Sequence, residues 1–95
     1  MILGKVTGTV VSTKQNINIK GGIYLLIEKC NSKGERNSDF LVAFDLVGAG
    51  NNEMVMVSQS TSARETPATK NKPIDAVIVG IIDVIDESDK VVYKK

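Results

Sequence analysis

The stretch that decides the fold is Phe44-Asp45-Leu46-Val47-Gly48-Ala49-Gly50-Asn51-Asn52-Glu53-Met54-Val55-Met56-Val57. Apolar runs flank a Gly/Asn cluster, a pattern that predicts strand, glycine turn, strand. Gly48-x-Gly50 also follows a strand, as a dinucleotide loop does. The third glycine of such a loop is here Glu53, however, and the next run is a strand rather than a helix. No helix N-terminus is offered to a phosphate, so the cradle reading fails on its physical basis. What is left is a hairpin turn in which Gly48 and Gly50 supply positive φ or close packing.

Upstream of this turn, residues 39–45 form a predicted strand with Phe40, Val42 and Phe44 on one face. Before it lie a strand over residues 23–30 and the turn Asn31-Ser32-Lys33-Gly34-Glu35-Arg36, where Asn and Gly suit positive φ. Residues 2–13 are β-branched and alternate, with Ile2, Gly4, Val6, Gly8 and Val10 predicted inward. Inward glycines mark a bend or a close backbone approach, as at a barrel corner. Residues 14–22 are polar and break at Gly21-Gly22, which predicts a loop.

Downstream, Met54 and Met56 share a strand face as packing residues. Residues 59–72 are polar. Within them Ser62-Ala63-Arg64-Glu65 has the form of a capping box and predicts one short helical turn, ended by Pro67. Residues 74–85 read as one long strand, apolar on both faces and so covered on both, by barrel core and by a neighbouring subunit. Asp86-Glu87-Ser88-Asp89 reads as a solvated turn, without the spacing of a calcium loop, before a short last strand at Val91-Val92-Tyr93. A meander with one late-returning strand predicts an all-β chain: a small OB-like Greek-key barrel of about five strands with a C-terminal β tail.

Composition narrows the function. With 95 residues the chain is expected to be one domain over 1–95, with a modest core that oligomerisation commonly supplements. There is no histidine, so the commonest general base and metal ligand is missing; no cofactor or metal is expected. A net charge of +1 and 4% aromatics give no footprint for nucleic acid, and Lys90, Lys94 and Lys95 are too small a cluster to alter that. Cys30 is the lone cysteine, which suits a reducing cytosol. No signal peptide is visible, and the longest apolar run, within residues 76–82, is too short for a membrane helix. A cytoplasmic protein without a membrane partner is expected.

The hydroxyl-rich run Ser58-Gln59-Ser60-Thr61-Ser62-Ala63-Arg64 offers Ser60 or Ser62 as a nucleophile with Arg64 beside it. Nothing activates the serine, and Ser62 is accounted for as a helix cap. Arg64 is either a solvated surface residue or half of a bidentate pair with a carboxylate, for which Asp45 and Glu53 are candidates.

Four ordered segments then carry a resemblance. They are Leu3-Gly4-Lys5-Val6-Thr7-Gly8-Thr9-Val10-Val11-Ser12-Thr13; Ala43 to Gly50 with Glu53-x-Val55-x-Val57; Thr61-Ser62-Ala63-Arg64; and Pro73-Ile74-Asp75-Ala76-Val77-Ile78-Val79-Gly80-Ile81-Ile82-Asp83. Together they resemble the EutN/CcmL family, the vertex proteins of bacterial microcompartment shells. Asn52 departs from the glycine that many members carry there. The resemblance implies a non-enzymatic OB-like barrel that forms a homopentamer among hexameric shell proteins in a cytoplasmic microcompartment, with names drawn from ethanolamine utilisation or the carboxysome. On this reading Asp45, Gly48, Ala49, Gly50, Glu53, Ser60, Ser62 and Arg64 are the candidates for subunit contact or for lining the central opening. The alternative from the residues is an OB-fold single-stranded nucleic-acid binder, which would need a basic groove with stacked aromatics.

Overall fold

The structure, a computed structural model, describes residues 1–11, 23–59 and 76–95. The described residues contain seven strands: β1 (Ile2–Val10), β2 (Tyr24–Cys30), β3 (Arg36–Asp45), β4 (Met54–Gln59), β5 (Ala76–Ile81), β6 (Val84–Glu87) and β7 (Lys90–Lys94). The first five close into a barrel in the order β1-β2-β3-β5-β4, and β6 pairs only with β7. The expected all-β barrel of five strands with a C-terminal β tail is therefore what forms. The helical turn at Ser62, the loop over residues 14–22 and the ends of the first and fifth predicted strands lie outside the described residues.

Alternation builds the barrel's interior. Val6, Leu25, Ile27, Ala43, Val55, Val57, Ala76 and Ile78 form one buried cluster. Each buried Val, Leu or Ile of this cluster contributes about 1.5–3 kcal/mol. On β1 the inward register breaks between Val6 and Gly8. Thr7 falls at this bulge, and its Oγ1 donates to the Leu26 carbonyl at 3.1 Å. Of the two inward glycines, Gly4 is the close approach: a Cβ there would run into Ile27 Cγ2 and sit 3.1 Å from the Glu28 carbonyl. Gly8 has open space around it.

Three expectations need correction. First, residues 48–52 do not join paired strands. β3 and β4 are separated by β5, which runs parallel to β3 at Phe44↔Val77 and antiparallel to β4. This insertion covers both faces of the doubly apolar β5 within the chain. Ile78 enters the barrel cluster, while Val77 is covered outside by Tyr24, Phe44 and Leu46. No neighbouring subunit is needed at Val77.

Second, residues 74–85 are not one strand. The Ile82 N–H bonds the Met54 carbonyl at 2.8 Å, at the beginning of β4, so β5 has no barrel partner beyond that point. The chain leaves the barrel at Asp83, whose carbonyl accepts the Lys95 N–H at 2.8 Å, and pairs with β7 instead. Third, Asp86 and Glu87 belong to β6, and the turn is the pair Ser88-Asp89 with φ of 52° and 65°. Positive φ at both central residues is what a two-residue hairpin requires.

The β6–β7 hairpin lies against the outer side of β1 and β4. Met54, Cys30 and Ile82 are buried there with Leu3, Ile85 and Tyr93 packed around them. Tyr93 also covers Gly34, where φ is +81° and a Cβ would come within 2.9 Å of the ring. The shared face of Met54 and Met56 is thus an outer face: Met54 lies under the hairpin and Met56 at its margin.

Candidate functional site

The turn between β3 and β4 is organised by two carboxylates. Asp45 Oδ1 accepts the N–H groups of Val47 (3.0 Å) and Gly48 (3.1 Å), and its Oδ2 accepts that of Ala49 (3.1 Å). A short side chain accepting from the next residues' N–H groups is what fixes such a turn. Gly48 has φ +73°, where a side chain is strained. Gly50 does not share that conformation. Its N–H donates to Glu53 Oε1 at 2.6 Å, and a Cβ would meet that oxygen at 3.4 Å. The turn is also tied to β1, through Asn52 N–H to the Val6 carbonyl at 2.8 Å and Val6 N–H to the Glu53 carbonyl at 3.0 Å.

Glu53 has a second partner that sequence reasoning missed. Its Oε2 accepts Lys95 Nζ at 2.6 Å. Lys95's hydrogen bond, followed by that of the Gly50 N–H, lowers the Glu53 pKa below the usual carboxylate range; in return Glu53 raises that of Lys95. The two lie 42 positions apart, and only the docking of the hairpin brings them together. Lys95 is therefore a structural partner and not part of a basic tail. Asp45 and Glu53, the carboxylates considered for Arg64, both have partners in the described chain. Ser60, Ser62 and Arg64 lie outside the described residues.

Glu28 is the other carboxylate that sequence reasoning passed over. It is buried on the outer face of β2, accepts the Ser38 N–H at 3.0 Å and stands 3.7 Å from Arg36 Nη1. Arg36 Nη2 in turn donates to Asn52 Oδ1 at 3.3 Å, linking β3 to the turn. An isolated Glu between Ile27 and Lys29 gave no signal for this. The Cys30 thiol is buried, and burial raises its pKa, the opposite of an activated nucleophile. No group of three potential metal ligands occurs among the described residues, and no helix there is long and apolar enough to cross a membrane.

Among the described residues apolar surface is left uncovered in several places, two of which lie on the strands. The outer face of β2 and β3 presents Phe40 (50% exposed) and Val42 (45%). A groove of about 570 Å³ runs between Leu3 and Met56 on the barrel and the stretch from Ile81 to Asp86. These surfaces and the turn suit contact with protein more than chemistry on a small molecule.

Comparison with known proteins agrees. A family profile described as "Ethanolamine utilisation protein EutN/carboxysome" matches residues 1–83. The carboxysome shell vertex protein CcmL of Synechocystis sp. is 41% identical over 95 residues, covering 100% of this chain and 95% of the relative. The solved structure of Gloeobacter violaceus CcmL has a TM-score of 0.95 at 36% identity, covering 100% of this chain and 98% of the other. GrpN from Rhodospirillum rubrum, described as a pentameric microcompartment shell protein, has a TM-score of 0.80 at 41% identity, with 92% and 98% covered. The chain belongs to the EutN/CcmL family.

Proposed function

We propose that the chain is a structural shell protein: a cyclic homopentamer that caps the vertices of a polyhedral bacterial microcompartment, seated among hexameric shell proteins in the cytoplasm. It performs no catalysis. The turn from Gly48 to Glu53 and the segment with Ser60, Ser62 and Arg64 border the subunit contact or the central opening. The observation that carries the reading is the match to the pentameric GrpN over 92% of this chain at a TM-score of 0.80. The uncovered apolar surface supports it, since a small barrel with exposed Phe40 and Val42 gains from a protein partner. Ring closure asks for a heterologous interface, in which one patch meets a different patch on the next copy.

Native mass spectrometry tests the assembly. The expected species is about 51 kDa, five times the 10.2 kDa chain. A stable monomer at all concentrations overturns the reading, and a monomer that shifts a labelled single-stranded oligonucleotide at low salt favours the nucleic-acid alternative. Arg64→Ala is expected to dissociate on dilution or heating sooner than wild type; equal persistence removes Arg64 from the contact.

A further inference from the structure

We infer that the β6–β7 hairpin is a latch: it swings off the barrel as one unit while the five barrel strands stay closed, and so uncovers the strip of β2 and β4 around Cys30 and Met54. The latch belongs to a single chain and does not rest on the ring reading.

The barrel is complete without the hairpin. β1 pairs with β2 and β4, β3 with β2 and β5, and β4 with β5, so every barrel strand has a partner on both sides. The interior cluster and the side chains packed against it all come from residues 2–81. The family profile likewise ends at residue 83, where the chain leaves the barrel. The hairpin is equally self-contained. Its ladder runs from Val84↔Lys94 to Glu87↔Lys90, and the Lys95 N–H closes its foot on the Asp83 carbonyl. It can therefore move without breaking a main-chain bond of its own.

Its hold on the barrel is thin. Ile85 and Tyr93 pack on Cys30, Met54 and Ile82, and this is the apolar part of the contact. Polar contacts at the surface surround it: Ser32 Oγ donates to Glu87 Oε1 at 2.9 Å near the tip, and Lys95 Nζ donates to Glu53 Oε2 at the foot. Lys5 Nζ lies 5.9 Å from the centre of the Tyr93 ring. Val84 and Val91 are half exposed and add little. The Ile82 N–H, bonded to the Met54 carbonyl, marks the joint at which the hairpin begins. Few buried apolar contacts and solvent-facing polar ones place a segment at the low end of local stability.

Labelling with N-ethylmaleimide tests the latch on the full-length protein. Cys30 is the lone cysteine, so one mass increment reads one buried thiol. Labelling through the latch is expected to be slower than in the urea-unfolded chain and to rise only shallowly with urea, because opening exposes little surface. Tyr93→Ala is expected to speed it at least about tenfold, since a ring packed in the contact is lost, with the barrel's circular dichroism retained. Val57→Ala instead opens a cavity inside the barrel. It is expected to lower the urea midpoint and to leave the labelling rate within about twofold of wild type. Should Val57→Ala fail to fold, Ile27→Val serves as the milder barrel change. The latch is overturned by wild-type labelling as fast as a free thiol, or by a Tyr93→Ala rate equal to wild type. Labelling that steepens with urea as global unfolding does, and that speeds up in the barrel variant, overturns it too. A Tyr93→Ala chain that loses its barrel has the same meaning, since the barrel then needs the hairpin. Native mass of the same samples reads the ring separately, and a monomer leaves the latch standing.

Discussion

The turn from Gly48 to Glu53 and the outer face of β2 and β3 are built on opposite terms. In the turn, polar groups are consumed where they stand: Asp45 by three successive N–H groups, Glu53 by Gly50 and Lys95. On the sheet face, Phe40 and Val42 stay half exposed. A satisfied polar turn has little left to offer a partner beyond its shape. An open apolar face has surface still to remove from water. The difference teaches that the turn spends its polar groups within the chain, while the sheet face keeps apolar surface exposed to water.

The largest expected effect separates the two at once. Val42→Asp is expected to weaken any assembly that buries this face and to leave the subunit's own stability within about 0.5 kcal/mol, because Val42 is half exposed. Urea unfolding of the dilute monomer measures this. A subunit that loses much more shows that the face is part of the fold.

Asp45→Ala is the complementary break and the next in size. Removing a carboxylate that fixes three backbone N–H groups costs about 2 kcal/mol. That corresponds to a fall of about 8–16 °C in Tm for a subunit of this size. Asp45→Asn regains part of it, since an amide oxygen can still accept. Ring mass at low temperature is expected to persist. Calorimetry and native mass together read the result; a folded, equally stable Asp45→Ala variant that fails to assemble would move the turn to the assembly side.

How much of this was legible in the sequence follows the range of the interactions. The strand at residues 23–30 and the Gly34 turn are local: alternation and a positive-φ residue determine them, and both stand nearly where the residues place them. The two-faced apolar run after residue 74 was visible as well, but its covering was not. Whether Val77 is covered by Tyr24, Phe44 and Leu46 or by another subunit depends on β5 entering between β3 and β4, and no local pattern encodes that insertion. The break at Ile82 has the same cause, since it falls where β4 runs out. Asp45 and Glu53 were singled out as candidate partners of Arg64; that Asp45 instead binds the turn's own N–H groups was not read, and Lys95 reaches Glu53 only once the hairpin docks.

The smallest effect probes that hairpin contact. Lowered in the folded chain, the Glu53 pKa makes the contribution of this carboxylate complete above the ordinary glutamate value of about 4.3 and lost as pH falls through the folded value. Lys95 is raised, so its contribution is complete below the ordinary lysine value of about 10.4 and lost as pH rises through the folded one. Between those limits the pair contributes in full. Both groups face solvent, which keeps the effect small and sensitive to salt. Glu53→Gln in the Val42→Asp background is therefore expected to lower Tm by a few degrees at neutral pH and by less on the acid side, where the wild-type carboxylate is itself protonated. A Tm gap that does not change with pH rejects the ion pair as its source. The same substitution in the assembled protein sharpens the contrast between turn and face. If Glu53 serves only its own chain, the ring's resistance to dilution at neutral pH is unchanged; a ring that loosens places this end of the turn in the contact between subunits.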